Sequence, residues 1–315
     1  MTLSLVAGTG HPRLGAAVAE ALGITPVACA ATAFPDGELH VEIRESVRGH
    51  DVYLLQPAGP PAERHLLELL LLADACRRAG AARVTAVLPY FPYARQDRRA
   101  SGREAIGARV VADLLGTQDL ARVVAVDLHS AALEGFLTPP LEHLSAVSVL
   151  TAALGDDVPE RAVVVAPDAG AAHLAERYAE ALRLPVAIVQ KTRLSGSEVA
   201  VRSVTGDVTG RAPLIVDDMI STAGTVAAAA AALLAARCEP AITVVATHGL
   251  FVGPARERLA PLNLRRLLVT DTLPAPELPG IPVRVVSVAP LIADAITRLH
   301  AGRSLGDLLA HDPTP

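Results

Sequence analysis

Pro213-Leu-Ile-Val-Asp217-Asp218-Met-Ile-Ser221-Thr222-Ala223-Gly224-Thr225 reads as a buried strand, a pair of carboxylates and a loop of small and hydroxyl-bearing residues. An Ala-rich helix follows, from Val226 to Ala236. A continuous apolar strand running straight into a helix is the repeating unit of a parallel sheet covered on both faces. The same alternation extends in both directions along the chain. Short β-branched runs stand at Val52 to Gln56, Val84 to Leu88, Val123 to Asp127, Ala162 to Ala166, Val186 to Val189, Leu214 to Val216, Ile242 to Ala246 and Leu267 to Val269, with longer Ala/Leu/Arg segments between them. The pattern predicts an α/β fold of mainly parallel sheets flanked by helices. Helix punctuation agrees, with Glu63 after Pro60-Pro61 and basic residues before a glycine in Arg77-Arg78-Ala79-Gly80.

The 315 residues suffice for two domains of ordinary size. A weak internal echo points the same way: Val52 to Gly59 is matched by Val163 to Gly170, and Val123 to His129 by Val244 to His248. Two similar α/β halves are expected, 1–143 and 144–315, with Thr138-Pro-Pro-Leu-Glu-His143 as the hinge.

Composition excludes several classes of function. Lys plus Arg number 28 against 33 Asp plus Glu, a net charge of -5 without the basic footprint that nucleic-acid binding needs. Cys29, Cys76 and Cys238 are far apart and odd in number, which suggests neither a disulfide framework nor a structural zinc site and fits a reducing cytoplasm. The apolar stretches Leu66 to Ala75 and Val226 to Ala236 fall short of the roughly 20 residues that cross a bilayer. Met1 to Gly8 lacks the basic start of a signal peptide and reads as a strand entering Gly8-Thr-Gly10.

Four stretches carry chemistry. The loop from Ser221 to Thr225 sets backbone N–H groups, hydroxyls and the positive end of a helix where a phosphate would sit, and its small residues permit close approach. Asp217 and Asp218 behind it are placed to accept hydrogen bonds from sugar hydroxyls. The plainer alternative is an N-capped helix, but a cap needs one hydroxyl and gains nothing from two carboxylates. Leu88-Pro-Tyr-Phe-Pro-Tyr-Ala-Arg95-Gln96-Asp97-Arg-Arg99 concentrates aromatics and guanidinium groups in a chain with 3% aromatics, a composition suited to a nucleotide. Phe34-Pro-Asp36-Gly-Glu38 taken alone is a surface turn. Lys191-Thr192-Arg193, followed by the polar Leu194-Ser-Gly-Ser-Glu198, reads as a lid whose cations stabilise charge on a transferring group.

The 221–225 loop is similar to the phosphoribosyl-binding signature of type I phosphoribosyltransferases. With the Phe34 turn, the arginine patch, Val126-Asp-Leu-His129-Ser130, Ala166-Pro-Asp168-Ala-Gly170, Ser287 to Leu291 and Ile296 to Ser304 in the expected order, the whole chain resembles the ribose-phosphate diphosphokinases, or phosphoribosyl pyrophosphate synthetases. The resemblance implies two phosphoribosyltransferase-like domains and a homo-oligomer whose active site lies between domains and across a subunit boundary. It implies ATP contacts from Phe34, Asp36 and Glu38 of a neighbouring subunit and from Arg95, Gln96 and Asp97 of the same one. His129 and Asp168 fall on positions linked to the Mg²⁺ of ATP, Asp217, Asp218 and Ser221 to Thr225 on the ribose 5-phosphate site, and Lys191 and Arg193 on the catalytic basic pair. Ser221, Thr192 and Ala100 depart from the common bacterial and animal pattern toward archaeal-type versions, which leaves ADP inhibition, phosphate activation and hexameric assembly open. Two other readings fit the residues less well. A phosphoribosyltransferase would not explain the arginine patch or the Phe34 turn, and a non-catalytic regulatory paralogue would not need Lys191, Arg193, His129 and the aspartates.

Overall fold

All eight apolar runs become strands of two sheets. The computed structural model describes residues 1–193 and 199–310, and within that span every side chain except those of 156, 191–193 and 199–202. The chain forms two compact units, Met1–Ser145 with the segment from Ser287 onward, and Ala146–Val286.

The first unit opens with β1 (Leu3–Ala7), α1 (Pro12–Leu22) and a hairpin of β2 (Cys29–Ala33) and β3 (Leu39–Ile43). It continues through β4 (Asp51–Leu55), α2 (Ala62–Arg78), β5 (Arg83–Leu88), α3 (Gly107–Gly116), β6 (Arg122–Val126) and β7 (Leu141–Leu144). The hairpin is a sheet of its own, and the other five strands pair in parallel in the order β1-β4-β5-β6-β7. Every residue of β4 is buried, as a strand covered on both faces requires. Leu54, Leu69, Leu72, Leu88 and Leu115 form part of this unit's core.

The second unit comprises α4 (Val147–Leu154), β8 (Ala162–Ala166), α5 (Ala172–Leu182), β9 (Val186–Arg193), β10 (Val199–Thr205), β11 (Ala212–Ile220), α6 (Gly224–Ala235), β12 (Thr243–Gly249), α7 (Ala255–Leu259), β13 (Arg266–Thr270) and β14 (Val283–Val286). Its sheet order is β10-β9-β8-β11-β12-β13-β14, parallel except for the β9–β10 pair. The chain then returns to the first unit as α8 (Ala289–His300), which packs on α1.

The sequence echo has a topological meaning. The run β1-β4-β5-β6-β7 has the same form as β9-β8-β11-β12-β13, with all neighbours parallel. The echoed segments therefore occupy matching places, β4 with β8 and β6 with β12. The loop after β5 matches the loop after β11, so the arginine patch takes in one unit the place that the Ser221 to Thr225 loop takes in the other.

Two expectations need correction. Leu141 to Leu144 is not a hinge: it pairs with β6 as the fifth strand of the first sheet. Pro139-Pro140 precede the strand and cost it no ladder bond, whereas the paired prolines had suggested loop throughout. The compact units also differ from the expected division into 1–143 and 144–315, because 287–310 belongs with the first unit. What holds the returning segment is a buried carboxylate. Asp51 is fully buried and accepts from Tyr53 Oη (3.3 Å) and Arg83 Nε (2.7 Å), a second Arg83 nitrogen completes the fork, and His300 Nδ1 of α8 lies 2.7 Å away. Burial alone would raise this carboxyl, but the hydrogen bonds and charges of Arg83 and His300 outweigh it and hold the group below the usual carboxylate range.

Removing the carboxylate should therefore loosen α8. Asp51→Ala is expected to lower the unfolding free energy by roughly 2–4 kcal/mol, a figure discounted from that of a fully buried pair because Arg83 and His300 are partly exposed. In the wild type this contribution is complete at neutral pH and fades as the pH falls through the native Asp51 value, since the depressed carboxyl then takes up its proton. Urea denaturation between pH 3 and 7 measures both effects, and Asp51→Ala should flatten the acid limb.

Candidate active site

In the second unit the carboxylate pair sits where the sequence predicts, near the C-terminal end of β11. That strand lies between β8 and β12, so its exit loop faces the exits of both neighbours. In such sheets ligands bind at the carboxyl ends of strands. Asp217 and Asp218 are half-buried, and the Asp218 N–H donates to Asp217 Oδ1 at 3.0 Å. Burial first, then the charges of Asp218 and Asp168, push the Asp217 carboxyl well above its ordinary range. The three aspartates thus form one electrostatic cluster, built from residues 49 positions apart in the chain (217 minus 168).

The following loop bears on the choice between cradle and cap. Helix α6 begins at Gly224 with Ala223 as its cap residue, in a left-handed conformation (φ 56, ψ 11) and with no side-chain hydrogen bond to the first turn. An alanine cap leaves to another acceptor the N–H groups that Ser, Thr or Asp would otherwise satisfy. A left-handed alanine also carries a backbone cost that a mere helix start has no need of. Behind the loop, Leu250 and Phe251 N–H groups both donate to the Ile220 carbonyl and the Val252 N–H to that of Ser221, each at 3.0 Å. Across the strand exits, Asp168 turns its carboxylate onto the Gly170 N–H at 3.0 Å.

In the first unit two strand exits come together. Arg95 and Gln96 are exposed on the loop after β5, and Asp97 carries a fork of hydrogen bonds from Arg98 at 2.9 and 2.7 Å. That fork, with a hydrogen bond from Ser130 and the nearby His129 imidazole, holds Asp97 down at about 2, against the smaller opposing effect of burial. His129 is exposed on the loop after β6, next to the loop that carries the arginine patch. The Phe34 turn is the tip of the separate β2–β3 hairpin. Phe34 is 50% exposed, its ring centroid is 5.3 Å from that of His40, and the turn is closed by the Phe34 N–H on Glu38 O and the Glu38 N–H on Asp36 Oδ1. The aromatic ring at the tip is thus half exposed and rests against His40 of β3.

The backbone of Lys191, Thr192 and Arg193 continues β9 and pairs with β10. Their side chains, and the 194–198 part of the expected lid, lie outside the described residues.

The chain matches a family model described as the N-terminal domain of ribose phosphate pyrophosphokinase over residues 3–118 and one described as the phosphoribosyl synthetase-associated domain over 193–310. It is 43% identical to a ribose-phosphate pyrophosphokinase of Gloeobacter violaceus, with 97% of this chain and 92% of the relative covered. The identity is 42% to that of Caldanaerobacter subterraneus subsp. tengcongensis, over 98% of both chains. The chain belongs to the ribose-phosphate pyrophosphokinase family. A solved structure, phosphoribosylpyrophosphate synthetase from Mycobacterium smegmatis, superposes with a TM-score of 0.89 at 40% identity, covering 96% of this chain and all (100%) of the other. The expected fold of two phosphoribosyltransferase-like α/β sheets is therefore that of the family.

One residue near this site has no sequence signal. His143 of β7 is buried, and its Nε2 accepts the Leu128 N–H at 2.7 Å while Nδ1 lies 4.0 Å from Glu134 Oε1. The adjacent Asp127 is left-handed (φ 37), so this bond helps to hold the bent backbone that presents His129. His143 stands in the stretch read as a hinge, and only the β6–β7 pairing brings it to the loop. His143→Leu, which deprives Leu128 of its acceptor, should lower kcat/KM for ATP by about tenfold or more, whereas His143→Gln retains an acceptor and should stay within about threefold. Steady-state kinetics on the two folded variants checks this.

Proposed function

We propose that the chain catalyses its family's reaction with the residues described above, each in a distinct role. The enzyme transfers the β,γ-diphosphoryl group of ATP to the anomeric hydroxyl of ribose 5-phosphate. The hydroxyl oxygen attacks the β-phosphorus, the bond to the α-phosphate oxygen breaks, and AMP leaves as 5-phosphoribosyl 1-diphosphate forms. Little covalent work falls to the protein in such a transfer, so positioning and electrostatics dominate.

The observation that carries the residue assignment is the uncapped start of α6 behind two carboxylates. Ser221, Thr222, Ala223, Gly224 and Thr225 receive the 5-phosphate, and Asp217 and Asp218 take the ribose hydroxyls. Arg95, Gln96 and Asp97 meet ATP from the same chain. Phe34, Asp36 and Glu38 serve a neighbouring subunit of a homo-oligomer, a reading supported by the exposed aromatic at the hairpin tip. Lys191 and Arg193 are assigned to charge stabilisation on the transferring group by resemblance alone.

The residues present suit Mg²⁺. Among the described residues no group of three or more His, Cys, Asp or Glu side chains forms a cage for a metal, which matches an ion that binds through one or two protein groups and substrate phosphates. Burial is the main cause of the raised Asp217 carboxyl, and the charges of Asp218 and Asp168 add to it; a nearby cation would offset that second contribution. By resemblance alone His129 and Asp168 are assigned as its protein contacts, and the ion would neutralise charge on the phosphates of ATP. Free Cys29, Cys76 and Cys238 support a reducing, cytoplasmic setting, and no helix among the described residues is long and apolar enough to cross a membrane.

Incubation with ATP, ribose 5-phosphate and Mg²⁺ should yield AMP and phosphoribosyl diphosphate by ³¹P NMR, and EDTA should abolish turnover. Asp218→Asn should raise KM for ribose 5-phosphate by about tenfold at unchanged Tm, the loss of a charged hydrogen-bond acceptor. Lys191→Ala should lower kcat by roughly two to four orders of magnitude with a much smaller effect on that KM. A loss below threefold would remove Lys191 from the mechanism.

A further inference from the structure

The peptide groups of the 221–225 loop are aimed from behind. A trans peptide is planar, so its C=O and N–H point in opposite directions, and whatever holds the carbonyl also aims the N–H of the next residue. The Ile220 and Ser221 carbonyls are held by backbone N–H groups of residues 250–252. The Thr222 carbonyl is held by a side chain: Arg258 Nη1 of α7 donates to it at 3.0 Å. This peptide leads into the left-handed Ala223. Its orientation is thus the one in the loop fixed by a charged group rather than by local backbone pairing.

The same guanidinium also lies against Gly224. A Cβ added at Gly224 would come within 3.1 Å of Arg258 Nη1 and 3.8 Å of its Cζ. Gly224 shows no positive φ, so its backbone conformation does not call for glycine, and a side chain there would crowd the Arg258 guanidinium.

We propose that Arg258 is a positioning residue for the 5-phosphate: by holding the Thr222 carbonyl it turns the Ala223 N–H into the cradle, and its charge, set at the carbonyl end of that peptide dipole, strengthens the N–H as a donor to an anion. The inference rests on the reading of 221–225 as the 5-phosphate loop. Arg258 does not touch the sugar in this account. A guanidinium suits the task because its planar fork holds a fixed direction, whereas a lysine ammonium supplies the charge without it.

Three readouts test the proposal. Arg258→Met should raise KM for ribose 5-phosphate about tenfold while kcat and KM for ATP stay within about twofold, with Arg258→Lys between it and the wild type. The gain in ribose 5-phosphate affinity as the phosphate becomes a dianion near pH 6 should be smaller in Arg258→Met than in the wild type, a change that a merely structural residue would not produce. Gly224→Ala should displace the guanidinium, so its effect on KM and that of Arg258→Met should be markedly less than additive in the double variant. An unchanged KM for ribose 5-phosphate in folded Arg258→Met, equal losses toward ATP and ribose 5-phosphate, or strict additivity with Gly224→Ala would each overturn the proposal. Thr225→Val serves as the reference for the loop itself. If it raises that KM while Arg258→Met does not, only the role of Arg258 fails; if Thr225→Val also leaves it unchanged, the loop reading fails and takes the role of Arg258 with it.

Discussion

A helix that starts without a capping side chain leaves part of its hydrogen bonding to be completed by something else. Helix α6 starts in that way, at a left-handed alanine in the middle of the second sheet's carboxyl edge. The surrounding structure serves this opening. Leu250 to Val252 hold the loop's carbonyls on one side, and the small Ala223 and Gly224 keep the approach clear. Behind it stand Asp217, Asp218 and Asp168, close enough that the charges of the latter two add to burial in raising the Asp217 carboxyl. A phosphate satisfies the N–H groups and the helix dipole together, whereas a neutral ligand would satisfy only the former.

The two units show how one topology supports two chemistries. In each, the third strand of the matching five-strand run ends in the loop to which a substrate is assigned above. After β11 that loop is short, small and rich in hydroxyls. After β5 it is longer, and it packs Tyr90, Phe91 and Ala94 inside while leaving Arg95 and Gln96 outside. The buried part anchors the loop, and the exposed part is free to meet a large, charged partner. Asp97, clamped by Arg98 and set beside His129 and Ser130, links this loop to the next strand exit. The fold thus supplies the positions, and the loops supply the selectivity.

Much of this could be read from the residues. Most of the apolar runs are buried along their whole length, and their shortness and β-branched residues mark them as strands, while the loop of Ser221 to Thr225 lies between two regular elements that fix its place. Three features could not be read. The strand Leu141–Leu144 follows two prolines and is short, so turn signals outweighed it until its pairing with β6 was seen. The return of α8 to the first unit depends on Asp51 meeting His300 across 249 residues, a juxtaposition that no local pattern encodes. His143 and Arg258 act through backbone groups of distant loops, Leu128 and Thr222. Such contacts leave no spacing signature, because the partner is a peptide group that every residue possesses.

The central claim, that the uncapped start of α6 completes its hydrogen bonding with the 5-phosphate, is tested most directly by amide hydrogen exchange measured by mass spectrometry on peptides covering 218–227. Saturating ribose 5-phosphate should slow exchange in this segment, and the same concentration of ribose, which lacks the phosphate, should leave it unchanged. Protection by ribose 5-phosphate confined to other parts of the chain, with 218–227 exchanging as in the free protein, would contradict the account.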